Sequence, residues 1–190
     1  MNTSDLIIPT LQTERLVLRA FSLNDAKEIQ RQAGSPRIAA TTLAIPHPYP
    51  DGAAEDWIAR HLETFKNGHG ADWAITLKST NELIGSISLM SSKNHHRSEV
   101  GYWVGEEHWG KGYCTEATRA AIRYGFESLG LNKITSCHMA HNPASGKVMI
   151  KAGMEKEGYL KQQILKNGEY TDLVVYGLLK NDWLKQNNTV

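Results

Sequence analysis

The chain has 190 residues, enough for one domain with its own core, and a net charge of +1, so no basic field points to nucleic acid. With 41% hydrophobic and 22% charged residues it has the make-up of an ordinary globular protein. Two cysteines make no disulfide framework, no apolar run reaches membrane-spanning length, and the first ten residues lack the basic start of a signal peptide; the expectation is a reducing cytoplasm, with no membrane and no nucleic-acid partner.

Residues 14–21 (ERLVLRAF) alternate apolar and polar side chains and predict a strand. Residues 22–33 predict a helix, with Asn24 and Asp25 as start signals. Residues 34–50 are broken by prolines and read as a long loop, the kind that covers functional sites, with His47 and Tyr49 on it. Residues 51–68 predict one helix with Trp57, Ile58, His61, Leu62 and Phe65 on its inner face and Gly68 ending it. Residues 71–78 and 82–90 are strands of a hairpin, and 98–105 are another strand. A helix follows through residues 116–130, with Ala117, Ala121, Ile122, Phe126 and Leu129 inward. A strand (132–139), a short helix (142–153) and two strands around the turn KNGE complete the chain. The order is β-α-α-β-β-β-α-β-α-β-β, a mixed α/β (α+β) chain without repeats or linkers.

Between the third hairpin-region strand and its helix lies HWGKGYCTEA, residues 108–117. Glycines ahead of a helix expose backbone amides to an anion, and the helix dipole adds positive potential. An ordinary strand-to-helix turn has the same composition. The stretch is neither a Walker loop nor a dinucleotide fingerprint.

VGYWVGEEHWGKGYCTEA followed by NPASGKVMIKAGMEKEG resembles the GNAT superfamily of acyl-CoA-dependent N-acyltransferases, and within it the ribosomal-protein N-terminal acetyltransferase (RimJ/RimL-type) branch. The likeness runs from TERLVLRAF to VVYGLLKNDW, nearly the whole chain. It implies a single domain over residues 1–190 with a core at about 13–184, built on a mostly antiparallel twisted sheet of about seven strands. It implies acetyl-CoA as cosubstrate and no metal. In the superfamily turn R/Q-x-x-G-x-G/A, Trp109 stands at the Arg/Gln position, Gly112 at the central Gly and Cys114 at the final small residue. The amides of Gly110, Lys111, Gly112, Tyr113, Cys114 and Thr115 would then cradle the CoA pyrophosphate. Tyr102, Trp103 and Val104 would pair with the pantetheine arm, and Asn142 would contact it. Lys147 would meet the 3′-phosphate or simply face solvent.

Acetyl transfer to an amine needs a base, an oxyanion donor and an acid for the leaving thiolate. Where many relatives carry an acidic tyrosine this chain has Met149; Ser145 matches the serine of the RimJ/RimL-type branch, or caps a helix. Glu99, on the face shared with Gly101 and Trp103, is the candidate base, or a solvated strand-end charge. Ile164 stands where some relatives carry a glutamate. Cys114 suits packing better than covalent catalysis, and Cys137 to His141 do not gather as metal ligands on a strand. His95 and His96 read as a solvated turn, and Trp57 and Trp73 as core. The expected acceptor is a protein N-terminus or a small-molecule amine, approached past His47 and Tyr49. A homodimer is left open. The rival readings are a non-catalytic acyl-CoA-binding module and an α/β nucleotide-binding domain of another kind.

Overall fold

The computed structural model describes residues 7–187. Its strands are β1 (Leu11–Gln12), β2 (Leu16–Arg19), β3 (Gly70–Leu77), β4 (Leu83–Ser92), β5 (Arg97–Val104), β6 (Lys133–Met139), β7 (Glu155–Lys166) and β8 (Glu169–Leu179). Its helices are α1 (Ala26–Ala33), α2 (Pro36–Thr41), α3 (Ala53–Ala59), α4 (His61–Lys66), α5 (Tyr113–Glu127), α6 (Pro143–Lys151) and α7 (Lys180–Asn187). The strands form one sheet in the order β1-β2-β3-β4-β5-β6-β8-β7. Every neighbouring pair is antiparallel except β5 and β6.

That exception follows from connectivity. The strand β5 leads into α5, and a strand that returns beside its predecessor after a helical crossover runs parallel to it. Helix α5 crosses one sheet face, burying Ala117, Ala121, Ile122 and Phe126 against Ile87, Leu89 and Val100. Helices α1 and α3 cover the other face, where Ile29, Ala33 and Ile58 meet Ala74 and Leu83. The central strands β3 and β4 are therefore covered on both sides and are buried along most of their length.

The mostly antiparallel sheet expected with about seven strands is present with eight, because Leu11–Gln12 pairs with Val17 and Leu18; two residues are too few to show a periodicity. Three expectations need correction. The expected loop contains α2, started by Pro36 after a Ser35 hydroxyl that accepts the Arg37 N–H at 3.1 Å. Ile38 and Ala39 bury its inner side. The expected single helix 51–68 breaks at Arg60 into α3 and α4, which leaves Leu62 exposed while Ile58 and His61 stay buried. Leu129 lies past the end of α5 and is likewise exposed. The sequence also continues into α7, whose Trp183 ring stands 5.4 Å from that of Phe126.

Candidate active site

The parallel ladder of β5 and β6 is short. It pairs Arg97 with Lys133, Ser98 with Ile134 and Glu99 with Thr135, and stops. The Ser136 hydroxyl donates to the Val100 carbonyl at 2.8 Å, and beyond it the strands part into a wedge. Neighbouring residues of a strand turn their backbone groups to opposite sides. The Gly105 N–H bonds Ile84 of β4, and the Val100 carbonyl faces β6, so Val100, Tyr102 and Val104 direct their backbone into the wedge. The Val104 carbonyl accepts the Trp109 indole N–H at 2.8 Å. Tyr102 keeps both its N–H and its carbonyl for an added strand.

The wedge opens on the glycine turn. Gly110 and Gly112 have φ of 74° and 82°, a region that strains residues with a Cβ. A Cβ at Gly110 would meet open space, and one at Gly112 would meet the Arg15 guanidinium at 3.5 Å. The turn therefore uses glycine for its path and leaves room beside it. The first backbone bond of α5 runs from the Glu116 N–H to the Gly112 carbonyl at 3.1 Å. The amides of Tyr113, Cys114 and Thr115 precede that ladder and point out of the helix end. These groups fit a pyrophosphate.

A strap of charges holds the turn. Glu116 accepts hydrogen bonds from the Thr13 hydroxyl at 2.6 Å, the Arg15 N–H at 2.8 Å and the Arg15 Nε at 2.7 Å. Burial opposes its ionisation, but these bonds outweigh burial and hold its carboxyl below the usual range. Arg15 also donates to the Lys111 carbonyl at 3.1 Å and covers the Tyr113 ring at 4.8 Å. From the other side Arg37 pairs with Glu106 at 2.6 Å and stacks 4.7 Å from the Trp109 ring. Trp109 thus braces the turn through both its edge and its face. Lys111 is exposed, and Cys114 packs against the main core, its thiol pushed up to about 12 by burial. A thiol so placed stays protonated.

Next to the turn lies an open groove of about 1110 Å³, lined by Arg15, Thr115, Arg119, Arg123 and Lys151 among others. Lys147 is exposed on α6 and is not part of it.

At the inner end of the wedge, Asn142 caps α6: its side-chain oxygen accepts the Ser145 N–H at 3.4 Å. Ser145 is therefore not the cap. Its hydroxyl lies 3.0 Å from the Tyr102 hydroxyl, which also donates to the Ser145 carbonyl at 2.9 Å. Burial raises the Tyr102 phenol, and the Ser145 bond only partly offsets it, so the phenol stays protonated. Met149 is fully buried behind this pair, and Ile164 lies in β7, outside the cavity described next.

From Ser145 and Tyr102 a cavity of about 600 Å³ passes through the sheet to the α1–α3 face. Glu99, Trp103 and Tyr49 line it. Glu99 Oε1 accepts the Cys137 thiol at 3.4 Å; burial, then this carboxylate, push that thiol up to about 12. Trp57 lines the cavity too, whereas Trp73 is wholly buried core. His47 bonds the Gly34 carbonyl at 3.1 Å and is not part of the lining. His95 and His96 are exposed, and among the described residues no group of metal ligands forms.

Two features escaped the sequence. The Tyr102 side chain meets Ser145 across a gap of 43 residues, a pairing no local pattern carries. Asp72 of β3 also lines the cavity, and burial raises its carboxyl to about 6. An aspartate inside an apolar strand was the available signal, because strands disfavour it.

A mostly antiparallel sheet split at its single parallel pair, with a glycine turn and outward-pointing helix-start amides at the mouth of the split, is the frame of a coenzyme A-dependent acyltransferase. Residues 15–155 match the family described as "Acetyltransferase (GNAT) domain". The chain belongs to the GNAT acetyltransferase family and is an acetyl-CoA-dependent N-acetyltransferase. It is 31% identical over 184 residues to the uncharacterized N-acetyltransferase YoaA of Bacillus subtilis, covering 92% of this chain and 98% of that protein. It is 34% identical over 142 residues to the [ribosomal protein uS5]-alanine N-acetyltransferase of Escherichia coli, covering 72% of this chain and 71% of that protein. The fold matches a GNAT-family acetyltransferase from Bacillus anthracis with a TM-score of 0.82 at 24% identity, over 91% of this chain and 99% of that one. Among the described residues no helix is long and apolar enough to cross a membrane.

Proposed function

We propose that this chain acts as one cytoplasmic domain that moves an acetyl group directly to a primary amine within a ternary complex. The acceptor is the α-amine of a protein N-terminus or a small-molecule amine; the likeness to the uS5-alanine enzyme supports a protein N-terminus. The observation that carries the reading is the hydroxyl pair of Ser145 and Tyr102, 3.0 Å apart at the inner end of the wedge.

Bound acetyl-CoA supplies an activated acetyl group and a sulfur that leaves. The amides of Gly110 to Thr115 hold its pyrophosphate, with the dipole of α5 behind them. Arg119, Arg123 and Lys151 in the outer groove receive its nucleotide end, a role that suits them better than exposed Lys147. The free N–H and carbonyl of Tyr102, with the backbone of Trp103 and Val104 keeping the strand straight, align the pantetheine arm. Asn142 fixes the start of α6 against it.

The acceptor amine enters from the α1–α3 face past Tyr49, and Glu99 takes its proton, directly or through water. As the carbon–sulfur bond breaks, the Ser145 Oγ gives its proton toward the sulfur. The Tyr102 Oη passes its own proton to Oγ in the same step, which spares the serine from forming an alkoxide, and the proton that Glu99 took from the amine returns to Oη through solvent in the cavity they share, so the phenol is restored and no proton is left over. This relay provides the donor that Met149 cannot, and it argues against a non-catalytic binding module. His47 has no part in it.

The test is thiol release from acetyl-CoA with a panel of N-terminal peptides and small amines. Amine-dependent release is the expected result. Tight acetyl-CoA binding with no release over the whole panel would leave the binding module as the better account.

A further inference from the structure

The carboxylate of Asp72 has no counterpart in the chemistry above. It sits in the middle of β3, lines the cavity, and is strongly desolvated. Among the described residues no donor bonds it and no cation pairs with it. A charge withdrawn from water without a partner is costly, and such a group persists where something else brings the opposite charge.

Its position is fixed by the ladders. Asp72 stands opposite Ser88 of β4, and Ser88 opposite Gly101 of β5. Directly opposed residues share a sheet face, so Asp72 lies on the face of Glu99 and Trp103. Two strand spacings separate it from β5, about 10 Å. That is too far for the nitrogen that meets the acetyl group at the wedge. It is within reach of another part of the same acceptor, and Trp57 and Tyr49 line the space with rings that favour a cation.

We propose that Asp72 forms a second-cation subsite, so that the cavity selects acceptors carrying another ammonium or guanidinium about 10 Å from the amine to be acetylated. This rests on the acetyl-transfer reading of the site. The same chemistry is offered by a linear diamine and by a lysine or arginine side chain near a peptide N-terminus.

The other ionisable side chains lining the cavity are Tyr49, Arg60, Glu99, Tyr102, Cys137 and His138. Both tyrosines and the cysteine are pushed up and stay neutral. Arg60 is exposed at the end of α3 and contributes nothing to the Asp72 shift, whose cause is burial. Asp72 is the cavity carboxylate that lacks a donor, since Glu99 already accepts the Cys137 thiol.

The experiment is a calorimetric titration of the eight-carbon α,ω-diamine, with octylamine as the single-charge control. At pH 7.5 the diamine should bind roughly tenfold more tightly than octylamine. The advantage should shrink at pH 5, where Asp72 is protonated, and vanish in Asp72→Asn. Asp72→Glu should restore part of it. Retention of an acetyl-CoA melting shift shows that each variant is folded, and Asp72→Ser replaces Asn if that variant does not fold. A diamine preference that survives in the folded Asn variant, or is absent from the wild type, overturns the subsite. Turnover with diamines against peptides bearing lysine or glutamine at the third residue identifies the source. Diamine binding that depends on Asp72 without acetylation of any acceptor would sink the acetyl-transfer reading and leave the subsite standing.

Discussion

In the proposed relay Ser145 and Tyr102 act as a pair, and pairs reveal themselves by non-additivity. Ser145→Ala should lower kcat by roughly tenfold to a thousandfold, the range of a lost proton donor, with the acetyl-CoA Kd close to wild type. Tyr102→Phe should lower kcat by a smaller factor, and the double variant should be no worse than Ser145→Ala. Multiplying effects in steady-state kinetics would separate the two hydroxyls and sink the relay. Asp72 makes a prediction of a different kind. Burial raises its carboxyl from 3.8 to about 6. The native state then binds a proton more tightly than the unfolded chain. The resulting stability is complete below about pH 4 and is lost as pH rises through about 6. At pH 7.5 the ionised group costs at most about 3 kcal/mol. Asp72→Asn should therefore melt several degrees higher than wild type at pH 7.5, roughly 5 °C, and close to wild type at pH 4. Equal melting temperatures at pH 7.5 would show that the carboxylate is solvated after all.

At the scale of elements, the turn before α5 is built by its neighbours. Its glycines set the path, but Glu116 with Arg15 holds one flank, and Arg37 with Glu106 and Trp109 holds the other. Helix α2 belongs to the same frame: the Ser35 hydroxyl donates to Glu106, and the His141 ring lies 3.0 Å from the Ala40 carbonyl. The segment read as a loop is thus tied to both the turn and the start of α6. Gly112→Asp tests the cradle. A side chain at φ 82° is strained, and its charge would stand where the amides receive an anion. The variant should fold and lose the melting shift caused by acetyl-CoA. A normal shift would move the pyrophosphate elsewhere.

At the scale of the molecule, the sheet consists of two halves joined by three register pairs between β5 and β6. A cosubstrate lying in the wedge touches both halves and binds the folded state alone. At a hundredfold excess over Kd it should stabilise the protein by about 2.7 kcal/mol. For a chain of this length that is a rise of roughly 5–10 °C in Tm, readable by scanning calorimetry. Octylamine alone lacks the contacts that span the halves and should shift Tm far less. Equal shifts would mean that the wedge does not couple the two sides.

The order of the main elements was legible because α5, β3, β4 and β5 carry long periodic patterns, and period is a local property of the chain. The glycine turn was legible for a similar reason, since positive φ is set by a few adjacent residues; the cap of α6, read at Ser145, falls instead on Asn142. The break at Arg60, the short α2 and the exposure of Leu62 and Leu129 were not legible, since each depends on which side of a helix finds a neighbour. The proposed catalytic pair and the desolvated carboxylate needed the tertiary structure most. Tyr102 and Ser145 are neutral hydroxyls 43 residues apart, and neither announces the other. The burial that raises Asp72 comes from the helices packed over the sheet, so its charge state is a product of the assembled fold rather than of the strand that carries it.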